Sequence, residues 1–187
     1  MRTSHAVALA ALISALPVAA HAQRAGDLPP IDVKQVVGDI GPGWVKKQSG
    51  EEGVTYVCET DACGGRGVVG IGQARPTADY LKAVTADPEK GLASYRYATD
   101  ESTKPSGCSF KDYEVRRLGE RRVQYESKGS CAAGGTAAMA TIFDADRGGM
   151  LSVQVLTGSE TEALKLRDAS LTKIAAALDG AVADGRQ

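Results

Sequence analysis

Residues 108–131 read CSFKDYEVRRLGERRVQYESKGSC: two polar–apolar alternating runs around Leu118-Gly119-Glu120-Arg121, with a cysteine at each end. Alternation with a period of two marks a half-buried strand, and a glycine that tolerates positive φ suits the turn between two strands. The stretch therefore predicts a hairpin. Folding it about Gly119 and Glu120 sets residue 118 opposite 121 and Cys108 opposite Cys131. This register carries a conflict. Tyr113, Val115, Val123 and Tyr125 should share the buried face, yet a two-residue loop sets odd residues opposite even ones. A three-residue loop or a bulge restores the face and moves the cysteines by one position. The two cysteines stay bridgeable in either case, because disulfides accept Cα separations of about 4.4–6.8 Å.

The chain has two further cysteines, Cys58 and Cys63, and its start tells which compartment they meet. Arg2 precedes an uncharged run, AVALAALISALPVAA (residues 6–20), and Ala20-His21-Ala22 has the small residues of an A-x-A cleavage site. Residues 1–22 thus read as a secretory signal peptide. The run is shorter than the roughly 20 apolar residues that span a bilayer, and Pro17 interrupts it. No later stretch is apolar enough to span, so no membrane span is expected after cleavage. An exported chain is periplasmic or secreted, where an even number of cysteines favours disulfides. Of the three possible pairings, the hairpin favours Cys58–Cys63 with Cys108–Cys131. Two rival readings of the cysteines are a four-thiolate zinc site and a redox-active Cys58-Glu-Thr-Asp-Ala-Cys63 loop. Zinc would require thiols that escape oxidation during export. In the loop, two acidic residues between the thiols raise their pKa and slow attack.

Cleavage also removes His5 and His21, the only histidines in the sequence. A chain without histidine builds no Ser-His-Asp or Cys-His pair and no histidine-containing zinc site. The formal net charge of −1 provides no field for nucleic acid, whose binding needs many phosphate-neutralising cations.

Working outward from the hairpin, residues 23–43 form a lead with a short helix over 32–40, stopped by Gly41-Pro42-Gly43. A single domain spans 44–187. Strands are expected over 44–50, 54–59 and 68–75. Thr77 N-caps one helix, and Asp87-Pro88-Glu89 starts another that ends near Tyr97. Residues 99–107 (TDESTKPSG) read as a polar loop. After the hairpin come strands over 136–144 and from Leu151 on. Ser159-Glu160-Thr161-Glu162 reads as a capping box opening a helix with Leu164, Leu171, Ala175 and Leu178 on one stripe, closed by Gly180. The expected class is α+β: an antiparallel sheet of long hairpins, covered by an internal helix and a C-terminal amphipathic helix, and disulfide-linked. This element order resembles the PsbP-like fold, which also houses small exported bacterial proteins of the DcrB type. The resemblance spans residues 44–178 and rests on element order. It implies a binding or assembly module more often than an enzyme.

Several strings look like motifs and fail on context. Gly65-Arg66-Gly67-Val68-Val69-Gly70 matches GxGxxG but opens a strand rather than a helix. Ser170-Leu171-Thr172-Lys173 matches S-x-x-K but lies late in a helix without its partner strings, so Ser170 and Lys173 read as solvated flanks of the stripe. Asp144-Ala145-Asp146-Arg147-Gly148 lacks the later ligands of a calcium loop and reads as a hairpin turn. No catalytic residue, metal ligand or cofactor is assigned. One surface stands out: Arg116, Arg117, Arg121 and Arg122 crowd the hairpin tip, and four guanidiniums can grip phosphate or carboxylate bidentately. The bland alternative is a solvated tip paired locally with Glu114 and Glu126. The expected function is a non-enzymatic exported domain binding an envelope protein or an anionic envelope polymer. The alternatives are a carboxylate-based glycan-acting enzyme, the common hydrolytic chemistry that needs no histidine, and a thiol-redox protein.

Overall fold

The computed structural model describes residues 32–184, apart from 51 and 64. The signal peptide and residues 23–31 of the lead lie outside the described residues. Seven strands, β1 (Trp44–Gly50), β2 (Gly53–Cys58), β3 (Gly67–Ala74), β4 (Cys108–Arg117), β5 (Arg122–Cys131), β6 (Thr136–Asp144) and β7 (Gly149–Thr157), form one antiparallel sheet. Their order is β1-β2-β3-β7-β6-β5-β4. The chain leaves β3, crosses through α2 (Ala78–Ala86) and α3 (Pro88–Thr103), and enters the sheet again at the far edge. It then returns by three hairpins until β7 closes against β3.

Helices lie on both sides of the sheet. Helix α4 (Glu160–Asp184) packs on β6 and β7 with the short α1 (Val33–Val37) beside it. Under them Val54, Tyr56, Val69, Ile71, Val153 and Val155 meet Ile174 and Leu178. Helices α2 and α3 pack chiefly on β4, β5 and β6 of the opposite face, over Val123, Tyr125 and Phe143. Strand β6 is covered on both faces, so it is buried from Ala137 to Asp144, and its sequence shows no alternation. The α+β class, with an antiparallel sheet and a C-terminal helix packed on it, is as the sequence predicts; that the internal helices take the opposite face is a finding of the structure.

The register conflict in the hairpin resolves by two shifts that cancel. Leu118 donates to Arg122 O at 3.0 Å, leaving a three-residue loop, and Val115 pairs with Tyr125. Farther out, Asp112 and Tyr113 bulge between Lys111 and Glu114. Asp112 has φ +52, a conformation that Asp tolerates better than most residues. The bulge cancels the loop's offset, so Tyr113, Val115, Val123 and Tyr125 all meet the core under α2 and α3 while Cys108 faces Cys131. The cysteines pair as Cys58–Cys63 and Cys108–Cys131, and none is left free.

Two expectations need correction. Residues 99–103 are helical, not a loop, and residues 104–106 form one 3-10 turn. The inner stripe of α3 is Gly91, Tyr95, Thr99 and Thr103, too polar to register as an apolar period. Thr103 hides its hydroxyl by donating to Thr99 O at 2.8 Å. Gly91 is required because a Cβ there would strike the Tyr125 hydroxyl and Val84. The second correction concerns α4, which runs through Gly180 to Asp184. Its first turn is not a reciprocal capping box either. Ser159 N donates to Thr157 Oγ1 at 3.4 Å, while Glu162 pairs forward with Lys165.

Three tyrosines make the α2–α3 layer sensitive to alkali. Tyr125 stacks on Tyr95 with ring centroids 5.0 Å apart and donates to Pro88 O at 3.1 Å. Burial, then the nearby Tyr80, Asp87 and Glu89, push its pKa up from 10.0 to about 12. Burial likewise raises Tyr95, and burial with the Asp100 hydrogen bond raises Tyr113. Between the unfolded and folded values the native state holds the extra protons. This part of the stability is therefore complete below pH 10.0 and falls as pH rises through about 12. Urea titrations across that range should show a declining midpoint that tracks tyrosinate absorbance. A flat midpoint would refute the coupling.

Candidate functional site

The arginine tip is built into the fold. Arg116 reaches Glu126 on the neighbouring strand at 3.4 Å, an exposed pair. Arg117 donates to Thr85 O at 3.0 Å and Ala86 O at 2.9 Å, capping the carbonyl end of α2. Arg121 holds Asp146 at 2.6 Å and Ala145 O at 3.2 Å in the β6–β7 turn. Arg122, only 14% exposed, bonds Asp144 at 3.1 Å and Asp179 of α4 at 2.6 Å. The four side chains go to four different places and do not converge on one anion site. Of the two glutamates expected as local partners, Glu126 serves and Glu114 is not among the recorded partners of these arginines.

Other sequence candidates also turn out to be structural. Ser170 is buried, not a solvated flank. Lys173 donates to Val37 O at 2.8 Å and Asp39 O at 2.9 Å, fastening α1 to α4. Asp144 Oδ1 accepts from Asp146 N and Arg147 N, the hairpin turn expected there. The GxGxxG glycines lie in the turn before β3 and along it.

What the sequence reading missed lies on the α2–α3 face. One residue from each strand falls in a single row across the whole sheet. Val45 pairs with Val57, Val57 with Val68, Val68 with Leu156, Leu156 with Ala137, Ala137 with Gly129, and Gly129 with Phe110. Every member is apolar. At the α3 end the row is covered, while toward β1 it emerges: Leu156, Val68 and Val57 are partly buried and Val45 is 53% exposed. Beside the covered end is an apolar concavity lined by Val68, Leu156, Phe110, Met139 and the Cys108–Cys131 pair, with Thr103 and Gln154 as its polar members. The disulfide is thus part of the wall. No single strand reveals this row, because each contributes one position and only the register aligns them.

Both free edges of the sheet are blunted. β1 is bulged between Lys46 and Gln48, and β4 carries Lys111, Asp112, Glu114 and Arg116 with its own bulge. Charges and bulges at an edge oppose strand addition. Neither edge is therefore a ready template for a further strand. Among the described residues no helix is long and apolar enough to cross a membrane, and no group of His, Cys, Asp or Glu is placed to hold a metal. Compared with known proteins, the sequence matches no family model and no curated protein.

Proposed function

We propose that the chain is an exported, periplasmic or secreted, non-catalytic domain that binds a protein or envelope component through the open part of its α2–α3 face. The observation that carries this reading is the in-register apolar row, which lines the disulfide-walled concavity at Val68 and Leu156 and emerges at Val45 on the edge strand. Apolar side chains aligned across adjacent strands form a continuous surface, and such surfaces mark contact sites more often than scattered ones do. The disulfides suit an oxidising compartment. The PsbP-like element order supports a binding module over an enzyme, as an analogy of fold. The arginine tip is the weaker choice of surface, because its guanidiniums already serve α2, α4 and the β6–β7 turn.

The test is a photo-crosslinking amino acid placed at Val45 in one version of the exported protein and at Arg121 in another. Adducts from position 45, absent or several-fold weaker from 121, are the expected result. Adducts confined to 121 would overturn the choice of face and restore the tip.

A further inference from the structure

Side-chain burial anchors strand β1 at one end. Its residues from Val45 to Gly50 are all exposed, so they bury little that would keep the strand in place. Trp44 is different. It pairs with Cys58 of β2, and Cys58 pairs with Gly67 of β3. A Cβ built on Gly67 would lie 2.8 Å from the far edge of the indole. The ring therefore spans β2 at Cys58 and comes to rest on β3. The turn closed by the Cys58–Cys63 disulfide forms the rest of this seat. A Cβ built on Gly43 would lie 3.0–3.2 Å from Thr60, Ala62 and Cys63, and Cys63 Sγ is 3.7 Å from Gly43 O.

The chain on either side of β1 is held by other means. Upstream, Lys173 donates to Asp39 O at 2.9 Å and Tyr56 to Gly38 O at 2.5 Å. Between those pins and β1 lie Gly41 at φ +136 and Gly43 at φ +80, a place where the backbone can turn. Downstream, β2 pairs with β3 along its whole length and buries Val54 and Tyr56 in the core under α4. Strand β1 can therefore leave while the other six stay.

We infer that the Cys58–Cys63 disulfide is a redox switch for the docking face: it seats Trp44 and with it β1, and its reduction releases β1 and removes Val45 from the apolar row. The inference rests on the proposed reading of that face and names its regulation. Cys58 is 1% exposed and Cys63 8%, so an external dithiol reaches them when the Gly43–Trp44 segment lifts. A thiolate of the dithiol attacks Cys63, the more exposed of the two. The bond to Cys58 breaks, and Cys58 leaves as a thiolate that takes up a proton. The dithiol's second sulfur then displaces Cys63, which is protonated in turn. The cysteines gain two electrons and the dithiol becomes a disulfide. The turn is then no longer closed on β2, and the seat loses a wall. The coupling is reciprocal: whatever lifts β1 favours reduction, and whatever holds β1 down opposes it.

The test uses the full chain, oxidised and then treated with dithiothreitol, alongside a Cys108→Ala/Cys131→Ala variant in which only the 58–63 pair remains to be reduced. On reduction, hydrogen exchange at residues 44–50 should quicken about tenfold or more while β3 and β7 stay protected, the mark of a local opening. The emission of Trp44, the chain's sole tryptophan, should shift to the red. Adducts from a photo-crosslinker at position 45 should fall several-fold. In the oxidised chain Trp44→Ala should speed reduction of the pair several-fold, and Trp44→Phe should restore most of the protection. Exchange in β1 that reduction leaves unchanged overturns the inference. So does exchange that quickens equally in β3 and β7, which would make the disulfide a staple of the whole fold. Adducts that persist once β1 is free overturn the gating. If Trp44→Ala fails to fold, wild-type exchange decides. An oxidised chain that gives no adducts from position 45 defeats the reading of the face, while exchange and reduction rates, which need no partner, still decide whether the disulfide seats β1.

Discussion

Replacing Asp144 by alanine is expected to lower unfolding stability by about 3–5 kcal/mol, the usual cost of removing one member of a buried ion pair. Asp144 is 1% exposed and answers four groups. Its Oδ1 accepts the backbone N–H groups of Asp146 at 3.0 Å and Arg147 at 3.2 Å. Its Oδ2 accepts Arg122 Nε at 3.1 Å and lies 3.9 Å from Arg147 Nε. Arg147, itself 7% exposed, donates to Leu178 O in α4. Alanine would leave two guanidiniums in poorly solvated positions and undo the β6–β7 turn. Asp144→Asn keeps one oxygen for the turn and removes the charge, so its loss should be smaller. Urea denaturation measures both. A loss under about 1 kcal/mol for Asp144→Ala would mean that water reaches this corner and screens it as it does surface pairs. The same logic separates the tip arginines. Arg122→Ser should be strongly destabilising, whereas Arg116→Ser, at a side chain 64% exposed, should stay within about 0.5 kcal/mol of wild type.

The division between what could be read from the sequence and what could not follows the range of each interaction. The hairpin turn, the Cys58–Cys63 pair and the N-caps were legible because their determinants lie within a few residues, and Cys108–Cys131 because the hairpin brings its two ends together. Thr77 accepts from Tyr80 N, and Asp87 accepts from Lys90 N. The class of fold was legible for the same reason, since strands with one polar face alternate. The arginines were not, because Arg121 and Arg122 find partners 25 and 57 residues away. Four cations in seven positions looked like a surplus when only nearby glutamates were counted. The end of α3 was hidden by the opposite fault: its buried stripe uses Gly, Tyr and Thr in place of aliphatics. The apolar row needed the register of six strand pairs, and a bulge such as the one at Asp112 shifts a register without any mark in hydrophobic period.

Replacing Cys108 and Cys131 together by alanine should cost roughly 3 kcal/mol, and doing the same to Cys58 and Cys63 roughly 2, by the loop-entropy argument for closed loops of these lengths. The separations are 23 and 5 residues. The order of the two losses carries the test. The longer loop closes the whole β4–β5 hairpin at its open end, where the turn after α3 delivers the chain into β4 through Gly107 at φ +66. The strands remain paired to each other and β5 to β6, so the folded state should keep its circular dichroism and lose mainly its margin. The pair also walls the concavity together with Phe110 and Met139. Truncation there should loosen that end of the sheet first, seen as faster amide exchange at residues 108–110 and 129–131 while β3 and β7 stay protected. If the 58–63 replacement proved the costlier, the anchoring of the β2–β3 loop near Trp44 and Gly43 would outweigh chain entropy. Equal exchange along the whole of β4 and β5 would show that the hairpin is held from its tip, by Arg121 and Arg122, and not from its disulfide.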